Sequence, residues 1–183
     1  EAEVIRDSLL AVAGKLDPAL GGPDIDHDHG EQVYRRSLYF RHAYEKQMSM
    51  LTTFDAANPT DCYRRAASIV PQQALALANS TLSVSMARTF ESRLAEQSPE
   101  LSDGDFIATV FRKLLGRAPS PREAEACHTF LVEQTQLLTE PSRLTALSGP
   151  TKSATEPAPT SGRRARQNLV HTLMNHNDFV TVR

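Results

Sequence analysis

The chain has 183 residues, of which 40% are hydrophobic, and its formal net charge at pH 7 is -2. This length allows one domain with a substantial buried core, and the near-neutral charge argues against nucleic acid as the main partner. No apolar run reaches the ~20 residues that a membrane-spanning helix needs, and no secretory leader opens the chain. Because Glu1 lies within a predicted helix, we expect residues 1–183 to be a single domain cut from a longer protein.

The first third of the chain alternates between helical spacing and loop composition. A first helix is predicted by apolar residues at steps of three and four, and Gly14 and Pro18 end it: Ile5, Leu9, Val12 and Leu16. Residues 21–31, rich in Gly and Asp, indicate a surface loop. The following RRSLYF, residues 35–40, fits either a short strand or a helix, and a second helix is predicted around Met48, Leu51 and Phe54.

The middle of the chain predicts three further helices. Pro71 suits the first position of a helix, with Gln72 and Gln73 in its first turn, and an apolar seam is predicted along Leu75, Leu82, Met86, Phe90 and Leu94. Another helix begins near Asp103 and stops at Gly116. The sequence SPRE then supplies a capping box, with Ser120 as N-cap and Glu123 three residues later.

The last part of the chain changes composition. Residues 140–162 are rich in Pro, Ser, Thr and Ala and predict an exposed low-complexity insertion without stable structure. A final helix is predicted by Leu169, Val170, Leu173 and Met174, and Arg163, Arg164 and Arg166 before it suggest a solvated basic edge. We therefore predict a mainly α-helical domain of about five helices, with one or two short extended segments and a disordered insertion.

The two cysteines, Cys62 and Cys127, have no second Cys or His at metal-ligand spacing beside either. Two unpaired cysteines without other features favour ordinary thiols over a disulfide framework or a catalytic nucleophile. The cysteine count does not identify a redox compartment.

Six stretches together carry a family resemblance: EVIRDSLLAVAGKLDPALGGP, RRSLYFRHAYEKQ, FDAANPTDCYRR, VPQQALALANS, LGRAPSPREAEA and NLVHTLMNHNDF. In this order they resemble the planctomycete-type domain of unknown function 1553, over nearly the whole chain outside the insertion. The resemblance implies the C-terminal part of a large exported protein, which often carries a cytochrome-c-like module upstream. It implies a periplasmic or cell-surface location and upstream domains of the same polypeptide as partners, but no activity or catalytic residues.

No Cys-x-x-Cys-His occurs in this sequence, so covalent haem is not expected here and would belong to an upstream module. A Gly-rich phosphate loop, a Gly-x-Ser-x-Gly elbow and a His-Glu-x-x-His motif are missing as well. Nucleotide enzymes, α/β-hydrolases and common zinc proteases are therefore disfavoured, and no cofactor is expected in this chain.

One loop is dense in metal-ligand residue types. Carboxylates and imidazoles, which bind divalent cations, occur at Asp24, Asp26, His27, Asp28 and His29. The loop has no obvious rigid support, and side chains that alternate along an extended segment point to opposite sides. A solvated loop is therefore the favoured interpretation, and a metal site built from residues 26–29 the alternative.

Arginine and aromatic residues alternate after this loop and favour binding of a carboxylated or sulfated polymer by forked hydrogen bonds and stacking. The candidate binding residues are Arg35, Arg36, Tyr39, Arg41, Tyr44, Lys46, Arg64 and Arg65. The alternative is an internal salt-bridge network in which Arg41, Glu45, Arg64 and Arg65 tie this segment to the helices. Gln72, Gln73, Asn79, His171 and Asn175 are interpreted as helix-end hydrogen-bonding groups.

The function predicted from the sequence is a non-catalytic binding or docking module for an anionic polymer or a partner protein. The alternative is part of a periplasmic enzyme acting on polysaccharide or in haem-linked electron transfer. In that alternative, a turn of helix brings His42 and Glu45 together as base and orienting group, with Asp61 near the reacting atoms.

Overall fold

The computed structural model describes residues 2–60, 71–140, 142, 144 and 153–181. Within these residues it contains eight α-helices and two short 3-10 helices, and no strand, which confirms the predicted mainly α class. The α-helices are α1 Ala2–Val12, α2 Ser49–Thr53, α3 Pro71–Asn79, α4 Thr81–Gln97, α5 Asp103–Leu115, α6 Pro121–Thr139, α7 Ser161–Met174 and α8 Asn177–Val180.

Helix α1 buries a stripe that includes one charged residue. The buried positions are Ala2, Ile5, Arg6, Leu9 and Leu10, with Ala13 just past the helix end. Val12 and Leu16, which the sequence also placed on the apolar face, are only partly buried. The helix ends at Val12, and Gly14 follows with a φ of 66°, a conformation that residues with a Cβ rarely adopt.

Residues 15–48 form an irregular segment held against α1. Two parallel bridges, Asp17 with Arg35 and Ile25 with Phe40, join its outgoing and returning halves. RRSLYF is neither a strand nor an α-helix, because its central residues Ser37–Tyr39 form one 3-10 turn. Helix α2 follows as predicted, with Met48, Leu51 and Phe54 buried.

The predicted continuous seam from Leu75 to Leu94 is interrupted. Helix α3 ends at Asn79, and Ser80 starts α4 by accepting a hydrogen bond from the backbone NH of Ser83. The new start shifts the apolar register, so Leu75 is 60% exposed while Leu77 is 1% exposed. From Leu82 to Leu94 the predicted positions are buried.

The α5–α6 pair follows its local sequence features. Gly116 ends α5 with a φ of 69°, and Ser120 and Glu123 form the predicted capping box at the start of α6. The Ser120 Oγ accepts from the Glu123 NH at 3.3 Å, and the Glu123 carboxylate accepts from the Ser120 NH at 2.8 Å. These contacts satisfy NH groups that the helix itself leaves unpaired.

Helix α7 lies at the centre of the fold, packed against both α4 and α6. It buries Ala165, Leu169, Val170, Leu173 and Met174, together with the polar Gln167. α7 begins at Ser161, within the segment that composition marked as an insertion. The described residues just before it contact α4: Thr155 accepts a hydrogen bond from Arg88 at 2.6 Å, and Ala158 is buried.

In the part of the chain that the structure describes, no helix combines the length and apolar character needed to cross a bilayer. Cys127 is a buried free thiol whose pKa is raised by burial, and Cys62 lies outside the described residues.

Candidate binding face

Arg6 fastens the irregular segment to α1. Its side chain is fully buried, and its guanidinium donates to the backbone carbonyls of Gly30 at 2.8 Å, Val33 at 2.5 Å and Arg35 at 2.9 Å. The guanidinium also lies 4.9 Å from the centre of the Phe40 ring. Burial lowers the pKa of Arg6, and the charge of Asp7 opposes that shift. One side chain thus satisfies three carbonyls of a segment that has no regular backbone pairing.

Asp7 fixes the same segment from the next position of α1. Its Oδ1 accepts from the Ser37 NH at 2.8 Å and from the Ser37 hydroxyl at 2.6 Å. That oxygen is also 3.6 Å from the Arg6 guanidinium. Because the backbone of Ser37 is held here, the residues on either side of it project from a defined position.

Arg35 and Tyr39, two of the predicted binding residues, contact each other and close the preceding loop. The Arg35 guanidinium lies 4.0 Å from the Tyr39 ring centre and donates to the carbonyls of Pro23, at 2.8 Å, and Gly21. The Tyr39 hydroxyl accepts from the Gly21 NH at 2.9 Å. Both side chains are therefore engaged within the chain, Arg35 with backbone carbonyls and Tyr39 with a backbone NH, rather than with acids.

The other predicted binding and catalytic residues between positions 36 and 46 are exposed on or beside a tight turn. Ala43 and Lys46 close the turn by an antiparallel bridge, and the exposed side chains are Arg36, Arg41, His42, Tyr44, Glu45 and Lys46. Tyr44 is 71% exposed. The Arg36 Nε lies 3.9 Å from an Asp7 oxygen, a distance that allows only a weak surface ion pair. We call the group formed by Arg36, Arg41, His42, Tyr44 and Lys46 the cationic face.

An open cleft of about 280 Å³ adjoins the cationic face. Arg41 and His42 line it together with Glu3 and with the apolar side chains of Leu38, Phe40, Met48 and Leu51. Leu38 is 55% exposed, so the cleft presents apolar surface next to charge. Such a mixture suits a partner that carries both anionic groups and apolar or sugar-ring faces.

The catalytic candidates do not form a pair. Residues 42–45 lie in a turn rather than a helix, and within the described part of the chain no hydrogen bond or ion pair joins His42 to Glu45. Asp61 lies outside the described residues, as do the predicted binding residues Arg64 and Arg65.

The metal candidates are brought partly together. Asp26, His27 and Asp28 offer ligand atoms within 4.8 Å of one another, while His29 is exposed outside this group. The His27 Nδ1 lies 3.0 Å from an Asp26 oxygen. Asp26 accepts from the Asp28 NH, which is the main reason its pKa is lowered. Most of this exposed cluster is therefore explained by the capping of one 3-10 turn.

Several of the polar residues interpreted as helix-end groups form hydrogen bonds within the fold. Asn79 donates to the Leu75 carbonyl at 2.9 Å, and Gln73 donates to Asp55 at 3.3 Å. Asn175 donates to the carbonyl of His171 at 3.0 Å, which brings these two residues together through the backbone.

Two arginines of the predicted solvated basic edge, Arg163 and Arg166, lie within α7 and pair with acids. Arg163 forms a forked pair with the buried Glu91 at 2.9 and 3.0 Å, and Arg166 donates to Asp103 at 2.6 Å. Gln167 also donates to Glu91, at 3.2 Å. The composition of the segment gave no indication of these pairs, because their acids lie more than sixty residues away in sequence.

A second charged group joins the ends of three helices. Arg117 donates to Glu123 at 2.6 and 2.9 Å and to Asp178 of α8 at 2.9 Å. The guanidinium of Arg117 holds the pKa of Glu123 well below its ordinary value, and the Glu123 carboxylate, with Asp178, raises that of Arg117. These residues all have partners, which indicates a structural role.

Comparison with known proteins identifies one family. No curated protein and no solved structure matches the chain. The profile of the family described as protein of unknown function (DUF1553) matches residues 1–131, which include five of the six stretches that carry the resemblance and both Arg6 and the cationic face. On this match, the chain belongs to the DUF1553 family.

Proposed function

We propose that this domain is a non-catalytic binding module for an anionic polysaccharide and that the cationic face is its contact surface. The observation that supports the proposal most directly is the position of Arg41. Its side chain is exposed at the rim of the cleft, and among the described residues its guanidinium has no hydrogen-bond or ion-pair partner. The N–H donors of an unpaired, exposed guanidinium are available for paired hydrogen bonds to a carboxylate or sulfate group of a ligand.

The arrangement of the other groups favours a polymer over a small ligand. Arg36, Arg41 and Lys46 are spread along the surface and do not converge on one pocket. A chain with regularly repeated anions contacts such dispersed cations simultaneously, and each contact adds to the affinity. The exposed ring of Tyr44 offers a flat surface beside them for the face of a sugar ring.

The positions of the cationic residues depend on Arg6 and Asp7. These two residues hold the Arg35 carbonyl and Ser37, the first residue of the 3-10 turn that precedes Arg41. A surface held in this way loses less conformational entropy on binding than a free loop. His42 and Glu45 lack the mutual contact that an acid–base pair requires, and we therefore propose no catalytic function.

The proposal includes an exported setting, at the periplasm or cell surface, as the C-terminal part of a longer protein with a cytochrome-c-like module upstream. Its support is the family membership together with the family context given above. Cell fractionation of a tagged full-length gene product tests the setting, with recovery in the cytoplasm as the contrary result. Haem staining of the same product tests for the upstream module.

Titration of the domain with polygalacturonate and dextran sulfate, compared with a neutral glucan, tests the binding function. We expect binding to the two anionic polymers that falls at least about tenfold on Arg41→Ala, a change of roughly 1.4 kcal/mol. Arg122→Ala is the matched control, because Arg122 is an exposed arginine in the first turn of α6.

Equal affinity for Arg41→Ala and the unmodified domain contradicts the proposed face. Binding of polyglutamate without binding of either polysaccharide contradicts the proposed ligand class and identifies an acidic protein segment instead. Elution by moderate salt is expected in each positive case, since contacts between exposed charges are screened.

A further inference from the structure

A second cleft lies on another part of the molecule, between the C-terminal end of α1, helix α4 and the end of α5. Its volume is about 330 Å³, and it is open to solvent. The residues that line it are Ala11, Val12, Gly14, Phe90, Arg93, Leu94, Gln97 and Lys113. None of the residues assigned to the cationic face takes part in it.

The charge of this cleft is unbalanced. Arg93 and Lys113 line it, and among the described residues no carboxylate does. Arg93 uses one of its five N–H donors, in a 2.7 Å hydrogen bond to the Ala13 carbonyl. The Lys113 ammonium, which also lines the cleft, has no hydrogen-bond or ion-pair partner within the described residues. By contrast, the guanidiniums of Arg117, Arg163 and Arg166 contact acids.

Arg93 is held in place by the backbone beneath it. Gly14 leaves the space that the guanidinium occupies, since a Cβ there would lie 1.4 Å from the Arg93 Nη1. The hydrogen bond to Ala13 fixes the same nitrogen at the end of α1. The guanidinium is thus positioned before a ligand arrives, which reduces the entropy lost on binding.

The remaining wall of the cleft is apolar. Val12 is partly buried, and Phe90 and Leu94 are 4% and 7% exposed, so they contribute small edges of hydrocarbon. An inorganic anion would satisfy the cations but leave this surface in water, and an uncharged apolar compound would leave the cations unpaired. A ligand with one carboxylate and a short apolar tail complements both parts of the cleft.

We propose that this cleft is a binding site for small organic acids, with Arg93 and Lys113 at the carboxylate, Gln97 as a further donor, and Val12 and Leu94 at the tail. The site does not depend on the proposed polysaccharide-binding function, because it shares no residue with the cationic face.

The test is a titration of the isotopically labelled domain with hexanoate, followed by amide NMR shifts. Saturable shifts are expected at Gly14, Gln97 and Lys113, with a dissociation constant in the millimolar range or below. Acetate, which lacks the tail, and hexanol, which lacks the charge, should each bind more weakly. Lys113→Gln should weaken hexanoate binding about threefold to fivefold, the usual effect of one exposed charge.

Arg112→Gln is the matched control, because Arg112 is the neighbouring cation on α5 and does not line the cleft. Arg93→Gln should weaken binding more than Lys113→Gln does, and if that variant fails to fold, Lys113→Gln still decides the question. Shifts located elsewhere, equal binding of acetate and hexanoate, or equal losses for Lys113→Gln and Arg112→Gln would each overturn the proposal.

Discussion

The Nη1 atom of Arg93 lies 1.4 Å from the point that a Cβ on Gly14 would occupy, so a side chain at position 14 would displace the Arg93 guanidinium. Gly14 also has a φ of 66°, which disfavours residues with a Cβ independently of space. Replacing Gly14 by alanine therefore has two energetic costs, one from the displaced Arg93 guanidinium and one from the left-handed backbone conformation. Comparison with Gly116 distinguishes the two costs.

Gly14→Ala should lower the free energy of unfolding by about 2 kcal/mol: about 1 from the left-handed conformation and about 1 from the displaced hydrogen bond of Arg93. Gly116→Ala is the control, since Gly116 has a φ of 69° but no atom near its missing Cβ. It should cost only about 1 kcal/mol. In an Arg93→Ala background, urea denaturation should show Gly14→Ala and Gly116→Ala with similar costs; a persisting difference would contradict this account.

Replacing Arg6 should destabilise the domain strongly. Arg6→Met keeps most of the volume but leaves the carbonyls of Gly30, Val33 and Arg35 without their donor, at a cost of roughly 3 kcal/mol. The exposed Arg36 is the matched control, and Arg36→Met should change the free energy of unfolding by less than about 0.5 kcal/mol. Chemical denaturation of the two variants provides the measurement, and similar stabilities would argue against the anchoring role of Arg6.

Glu91 and Arg163 should show energetic coupling across the α4–α7 interface. Glu91 is 1% exposed and accepts both donors of the Arg163 fork. Removing Arg163 alone leaves a buried carboxylate without its main partner, whereas Glu91→Gln together with Arg163→Gln leaves no net charge in the core. A double-mutant cycle should give a coupling energy of about 1–3 kcal/mol. Arg112 and Glu125 are two exposed residues on α5 and α6 that serve as a baseline, and their coupling energy should be close to zero.

His171 should contribute a pH dependence to stability. Burial lowers its pKa below the ordinary value, against the opposing effect of its 3.3 Å contact with the Leu77 carbonyl, and the nearby charge of Arg88 lowers it further. As the pH falls through about 6.5, the unfolded chain takes up a proton that the folded protein still excludes, so stability decreases. Above this range the residue is neutral in both states and has no effect.

Thermal unfolding between pH 7.5 and 5 measures this effect, which has an upper limit of about 1.4 kcal/mol for each pH unit. His171→Asn should reduce the dependence on pH, and His128→Asn, which replaces an exposed histidine, should preserve it. Identical pH profiles for the two variants would show that His171 is not the responsible group.

Sequence features that act within one helix predicted the structure best. The capping box of Ser120 and Glu123 and the stop at Gly116 need only near neighbours, and all are present in α5 and α6. The course of residues 15–48 was not predictable in this way. It depends on hydrogen bonds from Arg6 to backbone carbonyls 24 to 29 residues away. Because every residue has a backbone carbonyl, the sequence does not show which carbonyls Arg6 will bind. The only available indication was a charged residue within the apolar stripe of α1.

The same distinction applies to the candidate binding residues. The exposed cations and rings around Arg41 were expected from composition, whereas the engagement of Arg35 with the carbonyls of Gly21 and Pro23 depends on the folded loop. Arg163 and Arg166 looked like a solvated edge because their acids, Glu91 and Asp103, are distant in sequence.

The central position of α7 has a practical consequence for any fragment designed from the family match. That match stops at residue 131, thirty residues before α7 begins. A shortened protein ending there would lose the second half of α6, would leave the face of α4 that α7 covers open to water, and would remove both partners of Glu91. Such a product should be recovered as aggregates, so expression boundaries for this domain belong after Met174, at the end of the helix that completes its core.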